Sequence, residues 1–477
     1  MIFRQLLNEP IAAASYLIGC AAGGVAAVVD PGLPAEQYAL FAAERGLRIV
    51  AILETHLHAD YLSTGRALAA LTGAQLHLPR RAEAEFAHTP LDDGASVQVG
   101  NIVITALHTP GHTPEHTAYL VADTPRAARP WFALTGDCLF VGDVGRADLV
   151  DLPDTGPGPL YTSLFERLLA LPDDVEIYPA HFGGSACGGK AMSGKVSSTI
   201  GFERRFNWAL QVADRASFAE RLSETPRAAV EDVLRHRHTN QGRLPLPEGY
   251  GLAAIGMDYA LSPAAAVEVI QAGALPLDVR SRDAFAACHS AGALAAPYSR
   301  DALTARVAAV CAPGELLVLI GENAAVAAEA AALLAALGRN PVRGYLAALP
   351  ATLEQAGLAG ATLAQLDVAA LAGLVERGQA LVLDVREPFE WGRGVIAGAL
   401  LISYGALRER LAAVPTDRPI VVICESGTRA TMAASLLLHH LSAHVSVVAP
   451  EGMSDYAARF ATVRPSERSS VVGRPSS

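Results

Sequence analysis

Positive charge is in short supply. Lys and Arg number 37 against 48 Asp and Glu, a formal charge of −11. That balance argues against nucleic acid and anionic membrane surfaces as partners, since both select basic faces. Long apolar runs are also lacking. Ala-rich stretches such as NAAVAAEAAALLAALG (323–338) read as amphipathic or buried helices, shorter than a membrane span. Cysteine is sparse. Cys20, Cys138, Cys187, Cys288, Cys311 and Cys424 are scattered, with no paired framework. They read as free thiols in a reducing compartment. Leu17-Ile18-Gly19-Cys20 imitates a lipoprotein cleavage box, but Arg4 is the only basic residue before it and Asn8-Glu9-Pro10 interrupts the apolar run. Two strands joined by a turn fit better, one around Ser15–Ile18 and one over Ala26–Val29, and the expected location is the cytoplasm.

What is present is ample core material. Of 477 residues, 51% are hydrophobic and 18% charged, enough for two to four domains. Residues 1 to 245 alternate short apolar strands with helices, and polar residues follow the strand ends. Ile49–Leu53 leads into a histidine array and then a helix over Leu62–Leu71. Ile102–Leu107, Trp131–Asp137 and Val175–His181 are further strands. Chemistry at strand ends is the habit of α/β folds. Gly242–Gly251 reads as a linker.

Beyond it the chain repeats itself with a period of about 105 residues. Leu277-Asp278-Val279-Arg280 recurs as Leu383-Asp384-Val385-Arg386, and Ser290–Leu294 recurs as Ile396–Leu400. Each copy, 252–352 and 362–462, reads as a small β-α-β-α domain with a parallel sheet. The polar tail 466–477 is expected to be disordered. The copies differ after their central strand. The second has Cys424-Glu425-Ser426-Gly427-Thr428-Arg429-Ala430; the first has Gly321-Glu322-Asn323-Ala324-Ala325-Val326-Ala327, without cysteine or arginine.

The histidine array is His56-Leu57-His58-Ala59-Asp60-Tyr61. His112 lies in a Gly/Pro turn after a strand, and Asp137 and His181 each end one. Imidazole with carboxylate suits zinc, iron or manganese. His108 and His116 read as supporting or surface residues. This order, HxHxD followed by His, Asp and His, resembles the metallo-β-lactamase superfamily over about residues 1 to 240, and its motifs are specific. The resemblance implies an αββα sandwich with metal at one edge. Binuclear hydrolases of that family carry a second histidine after the aspartate, where this chain has Tyr61. A neutral phenol is a poor divalent-metal ligand, so a single metal is expected, with Asp60 and His181 as remnants of a second site. Persulfide dioxygenases of the same superfamily bind one Fe(II). Carried over, their ligands are His56, His112 and Asp137, a 2-His-1-carboxylate triad. His58, Asp60, Tyr61 and His181 would then orient ligands or substrate. Arg146 would hold a substrate carboxylate or pair with Asp148. Cys187 would carry a persulfide near the metal edge or be a small buried cysteine.

The segment CESGTRA follows the strand Val421–Ile423 and opens a helix. Backbone N–H groups of such a loop, with Arg429, would stabilise Cys424 as thiolate and then as persulfide. The segment resembles the rhodanese active-site loop, over about residues 362 to 460. Arg429 is five positions after Cys424, one short of the CxxxxxR spacing of a phosphatase. The first copy would be an inactive rhodanese-like domain, useful for packing or for shaping a channel.

Together these features resemble a fusion of a persulfide dioxygenase with tandem rhodanese-like domains. The resemblance implies that a low-molecular-weight persulfide, carried on glutathione, coenzyme A or a similar thiol, reacts with O2 at one Fe(II) per chain to give sulfite. Sulfane sulfur then passes through Cys424 to sulfite, giving thiosulfate. A homo-oligomer is compatible with the sequence. Two rivals stand beside this reading: a zinc thioester hydrolase of the glyoxalase II type, and a non-catalytic persulfide sensor or carrier.

Overall fold

Five apolar residues of Val25–Val29 run parallel to Arg48–Leu53, and the end of this strand pair positions the first histidine loop. The computed structural model describes residues 1–150, 152–185, 187–189, 191–212, 214–223, 233–246, 260–300, 302–338, 340–347 and 350–464. Two compact units are present: Met1–Met257 with Ala336–Gly338, and Asp258–Ala335 with Arg339–Ser477. Part of the expected linker and the whole 466–477 tail lie outside the described residues.

The first unit holds two six-stranded sheets. One runs in sequence order from Ile2–Asn8 through Ala13–Cys20, Val25–Val29, Arg48–Leu53 and Gln75–Pro79 to Thr89–Leu91. The other runs Ser198–Thr199, Glu176–Pro179, Phe132–Gly136, Thr117–Asp123, Ile102–His108 and Ser96–Val99. Alternating side chains of the two sheets bury one another: Tyr16, Ile18, Val29 and Leu53 meet Ile104, Tyr119, Val121 and Leu134. The opposite face of the first sheet buries Leu17, Val28 and Ile52 against Tyr38 and Leu68 of the helices Ala35–Ala43 and Gly65–Thr72. The outer face of the second carries Ile177 under Leu160, Leu164 and Phe218. Helix, sheet, sheet, helix is the αββα sandwich expected from the motif order.

The helix after the histidine array starts later than the apolar pattern suggested, at Gly65 rather than Leu62. Its entry residues are spent on the loop. Thr64 Oγ1 donates to the Leu33 carbonyl at 2.7 Å, and Ser63 Oγ accepts from Gly65 N at 2.9 Å.

The second unit contains both repeat copies. Four parallel strands appear in the same order in each: Leu294–Ala295, Leu275–Asp278, Leu317–Gly321, Val342–Ala347, and Leu400–Leu401, Leu381–Asp384, Ile420–Ile423, Val445–Val448. The second copy adds Ala364–Leu366 at the edge. The repeated Leu-Asp-Val-Arg string has a physical reason. Asp278 Oδ1 accepts from Arg280 N and Nε at 3.0 and 2.9 Å, and Asp384 Oδ1 from Arg386 N and Nε at 3.0 Å each. Both pairs are buried. Each guanidinium also reaches a carbonyl beyond its own turn, Cys288 or Gly394, so neither charge is left unpartnered in the interior.

Candidate metal centre and thiol loop

Asp30 follows the strand Val25–Val29 and receives both donors of Thr55, the backbone N–H at 2.7 Å and the hydroxyl at 2.8 Å. Because the Thr55 proton is given to Asp30, its oxygen accepts from His56 Nδ1–H at 2.9 Å. That assigns the His56 tautomer and leaves Nε2 as a bare lone pair. His112 reaches the same state from another strand end. Its Nδ1 donates to the Arg146 carbonyl at 2.9 Å, so its Nε2 is bare too. Asp137 follows the strand Phe132–Gly136, and its backbone N–H donates to His116 Nε2 at 2.9 Å. Gly136 has φ +52°, and a Cβ there would come within 2.4 Å of His116 Nε2. A side chain at residue 136 would therefore displace the ring that holds Asp137.

Three bare atoms result. His56 Nε2, His112 Nε2 and Asp137 Oδ2 are buried and have no hydrogen-bond partner among the described residues. His112 Nε2 lies 3.4 Å and His56 Nε2 3.7 Å from Asp137 Oδ2. Burial holds both imidazoles below their ordinary pKa, which keeps them neutral. Burial pushes the Asp137 carboxyl up, but the charge of His181 outweighs it and keeps the group ionised. Two neutral imidazoles and a carboxylate, unpaired and facing one point, fit a divalent metal by donor type and spacing. Protein hydrogen bonds do not satisfy these atoms, and leaving them bare in the interior is costly.

His181 sits between two acids. Its Nδ1 is 2.8 Å from Asp137 Oδ1, and its Nε2 is 2.9 Å from Asp60 Oδ2, close enough for an ion pair though outside hydrogen-bonding geometry. Burial lowers its pKa, but the two carboxylates raise it well above the ordinary value. His58, Asp60 and His181 form a second group of ligand atoms within 4.8 Å of one another. Asp60 and His181, expected as remnants of a second site, are gathered with His58. Tyr61 lies beside them, its ring 4.4 Å from that of His58, its hydroxyl buried without a partner among the described residues and its pKa pushed up by burial. His58 Nε2 points the other way, 3.4 Å from Asp30 and 3.6 Å from Glu54, and burial pushes Glu54 up to about 8.

Arg146 is paired with Asp148 through Nε and Nη2 at 3.1 and 2.9 Å, and its carbonyl orients His112. Cys187 is fully buried beside Asp137 and His181. Burial pushes its thiol pKa well above the ordinary value, with the nearby Asp60 and Asp137 adding to the rise. His116 is a support, brought down to about 3 by burial and donating through Nδ1 to Thr109.

Sequence reading missed the clamp behind the loop. The helix Val233–Gln241 turns polar residues inward. Arg237 binds Glu115 with both terminal nitrogens at 2.8 and 2.9 Å, and Glu115 Oε1 accepts from Leu57 N. Asn240 Nδ2 donates to the carbonyls of His58 and Tyr61, each at 2.8 Å, and its Oδ1 accepts from Ser63 N. The signal was the polar run His236–Asn240, a helix without an apolar stripe.

In the second unit, Cys424 follows the strand Ile420–Ile423 and precedes the helix Thr428–His440. The thiol is buried, and Ala430 N–H points at Sγ from 3.4 Å. Gly452 lets the next helix close on this loop, since a Cβ there would lie 2.0 Å from the Glu425 carbonyl oxygen. Arg429 is paired as well: both its terminal nitrogens are bound by Glu390, at 2.5 and 3.0 Å. In the first copy Gly321 takes the place of Cys424, and a Cβ there would meet Ala327 Cβ at 2.7 Å. That loop is closed as well as thiol-free.

Comparison with known proteins agrees with both folds. The model of the metallo-beta-lactamase superfamily matches residues 9–181, and that of the rhodanese-like domain matches 367–458. The mitochondrial persulfide dioxygenase of Bos taurus is 32% identical over 210 residues, 43% of this chain and 75% of that protein. A hydroxyacylglutathione hydrolase of Pseudomonas entomophila is 37% identical over 155 residues, 32% of this chain and 56% of that protein. The crystal structure of a metallo-beta-lactamase from Staphylococcus aureus aligns with TM-score 0.59 at 29% identity, covering 72% of this chain and 98% of that one. Among the described residues no helix is long and apolar enough to cross a membrane. The chain belongs to the metallo-beta-lactamase superfamily, with a rhodanese-like domain fused behind that fold.

Proposed function

We propose that this protein metabolises persulfides in two steps. In the first, a low-molecular-weight persulfide, O2 and water give the free thiol and sulfite: RSSH + O2 + H2O → RSH + SO3²⁻ + 2H⁺. In the second, Cys424 takes sulfane sulfur from another persulfide and passes it to sulfite, giving thiosulfate. The observation that carries the reading is the set of bare atoms on His56, His112 and Asp137, beside a second cluster in which Tyr61 stands where binuclear hydrolases have histidine. These three residues would hold one Fe(II). Bound there, iron supplies open coordination positions and redox activation of dioxygen.

The chain's own groups do the rest. Thr55 and the Arg146 carbonyl fix the two ligand tautomers. His181 ties Asp137 Oδ1 and leaves Oδ2 for the metal.

The second reading is a zinc thioester hydrolase, favoured by the compact His58/Asp60/His181 group and by the hydrolase relative. Metal analysis after anaerobic purification separates the two. The dioxygenase reading expects close to one iron per chain and oxygen uptake on adding glutathione persulfide, with both lost in Asp137→Ala. Two tightly held zinc ions with thioester hydrolysis and no oxygen uptake would overturn it.

A further inference from the structure

Sulfur transfer to sulfite brings two anions together. The persulfide on Cys424 and the sulfite dianion repel, so the reaction needs a cation that is not already neutralised. Arg429 is the only basic residue within the CESGTRA loop, and Glu390 occupies it with two charge-assisted hydrogen bonds.

A different guanidinium reaches the loop from the first repeat copy. Arg282 opens the helix Arg282–Ala287, and its Nη1 lies 3.0 Å from the position a Cβ on Gly427 would take. Gly427 is the fourth residue of the CESG turn, with φ +82°. Arg282 Nε makes one long bond, 3.3 Å, to Asp283, and neither terminal nitrogen has a partner among the described residues. The side chain is only 20% exposed, whereas Asp283 is 65% exposed. Asp283 also accepts from Gln365 Nε2 of the second copy at 3.1 Å, which ties the start of this helix to the domain that carries Cys424. A half-desolvated guanidinium with two unspent N–H edges is a receptor for an oxyanion.

We infer that Arg282 is the oxyanion-binding residue of the Cys424 site, so that the thiol-free first copy supplies the sulfite subsite of the second. The inference rests on the sulfur-transfer reading above. In the step concerned, the sulfite lone pair attacks the outer sulfur of Cys424–S–S⁻. The S–S bond breaks, its electron pair returns to Cys424 as thiolate, and thiosulfate leaves: Cys–S–S⁻ + SO3²⁻ → Cys–S⁻ + S2O3²⁻.

The test uses the full chain without oxygen, so that only transfer is read, with glutathione persulfide saturating as donor. Arg282→Gln is expected to raise KM for sulfite about tenfold, the effect of losing one charge-assisted contact, while turnover at saturating sulfite holds. Transfer to dithiothreitol, a neutral acceptor, is expected to be unaffected in the same protein. Arg282→Lys keeps the charge but loses the fork, and is expected to fall between. An unchanged KM for sulfite in either variant overturns the inference. So does an equal loss with both acceptors, which would mean that Arg282 only packs against the loop. If Cys424→Ser keeps full transfer, the underlying reading fails instead, whatever Arg282 does.

Discussion

Arg237 and Glu115 are 122 residues apart in sequence and meet as a buried, two-pronged ion pair behind the histidine loop. Glu115 in turn holds the Leu57 amide, so the pair sets the backbone between His56 and His58. Replacing Arg237 with Met leaves a buried carboxylate with one backbone partner. Breaking such a pair costs about 3–5 kcal/mol. Chemical denaturation of the first unit in the full chain should show a loss of that size, with weaker metal retention.

The same pair predicts an acid limit. Burial tends to raise the Glu115 carboxyl, but Arg237 lowers it further, and the net pKa lies below the ordinary value of 4.5. A depressed carboxylate contributes stability above its unfolded pKa and loses it as pH falls through the folded value. Near-UV circular dichroism should therefore show the native signal holding to below about pH 4.5 and then falling. In Glu115→Gln that contribution is absent at every pH, so the variant should be less stable near neutrality and gain relative to the parent on acidification.

Much of the candidate metal centre was legible because its polar residues follow apolar strands, where an α/β chain must turn and can present them. That placement marked His56, His112 and Asp137 together with His58, Asp60 and His181; the choice of three among them came from the family resemblance. The repeat was visible because a buried Asp–Arg pair tolerates little change. The clamp was not. Arg237 and Asn240 are distant from the loop in sequence and act through its backbone carbonyls and amides, which carry no residue signature. The pairing of Arg429 was hidden for a related reason. Its partner Glu390 lies on a separate helix 39 residues upstream, and the motif alone cannot show that its charge is already taken.

Tyr61→His tests why one metal is expected. The change places an imidazole beside His58, Asp60 and His181, which already lie within 4.8 Å of one another. Zinc-loaded Tyr61→His should hold about two ions per chain by elemental analysis where the parent holds about one, since a neutral imidazole is a ligand and a buried phenol is not. An unchanged count would show that Tyr61 is not what limits the site.

Gly321→Cys tests whether the first copy is inactive only for want of a thiol. Ala327 would lie 2.7 Å from the new Cβ, so the loop cannot close around sulfur without shifting. In a Cys424→Ser background the added cysteine should restore under about a hundredth of the transfer rate, a deficit of roughly 2.7 kcal/mol in barrier. Thiosulfate formation from persulfide and sulfite reads this directly.

The central claim is that two chemistries run at separate sites of one chain, and Cys424→Ser tests it most directly. Iron-loaded parent and variant are given excess glutathione persulfide and oxygen, and oxygen uptake, sulfite and thiosulfate are followed together, with the non-enzymatic reaction of sulfite subtracted. The account predicts that the variant consumes oxygen at the parental rate but accumulates sulfite where the parent makes thiosulfate. Thiosulfate formation at the parental rate above background, or loss of oxygen uptake with iron fully retained, would contradict it.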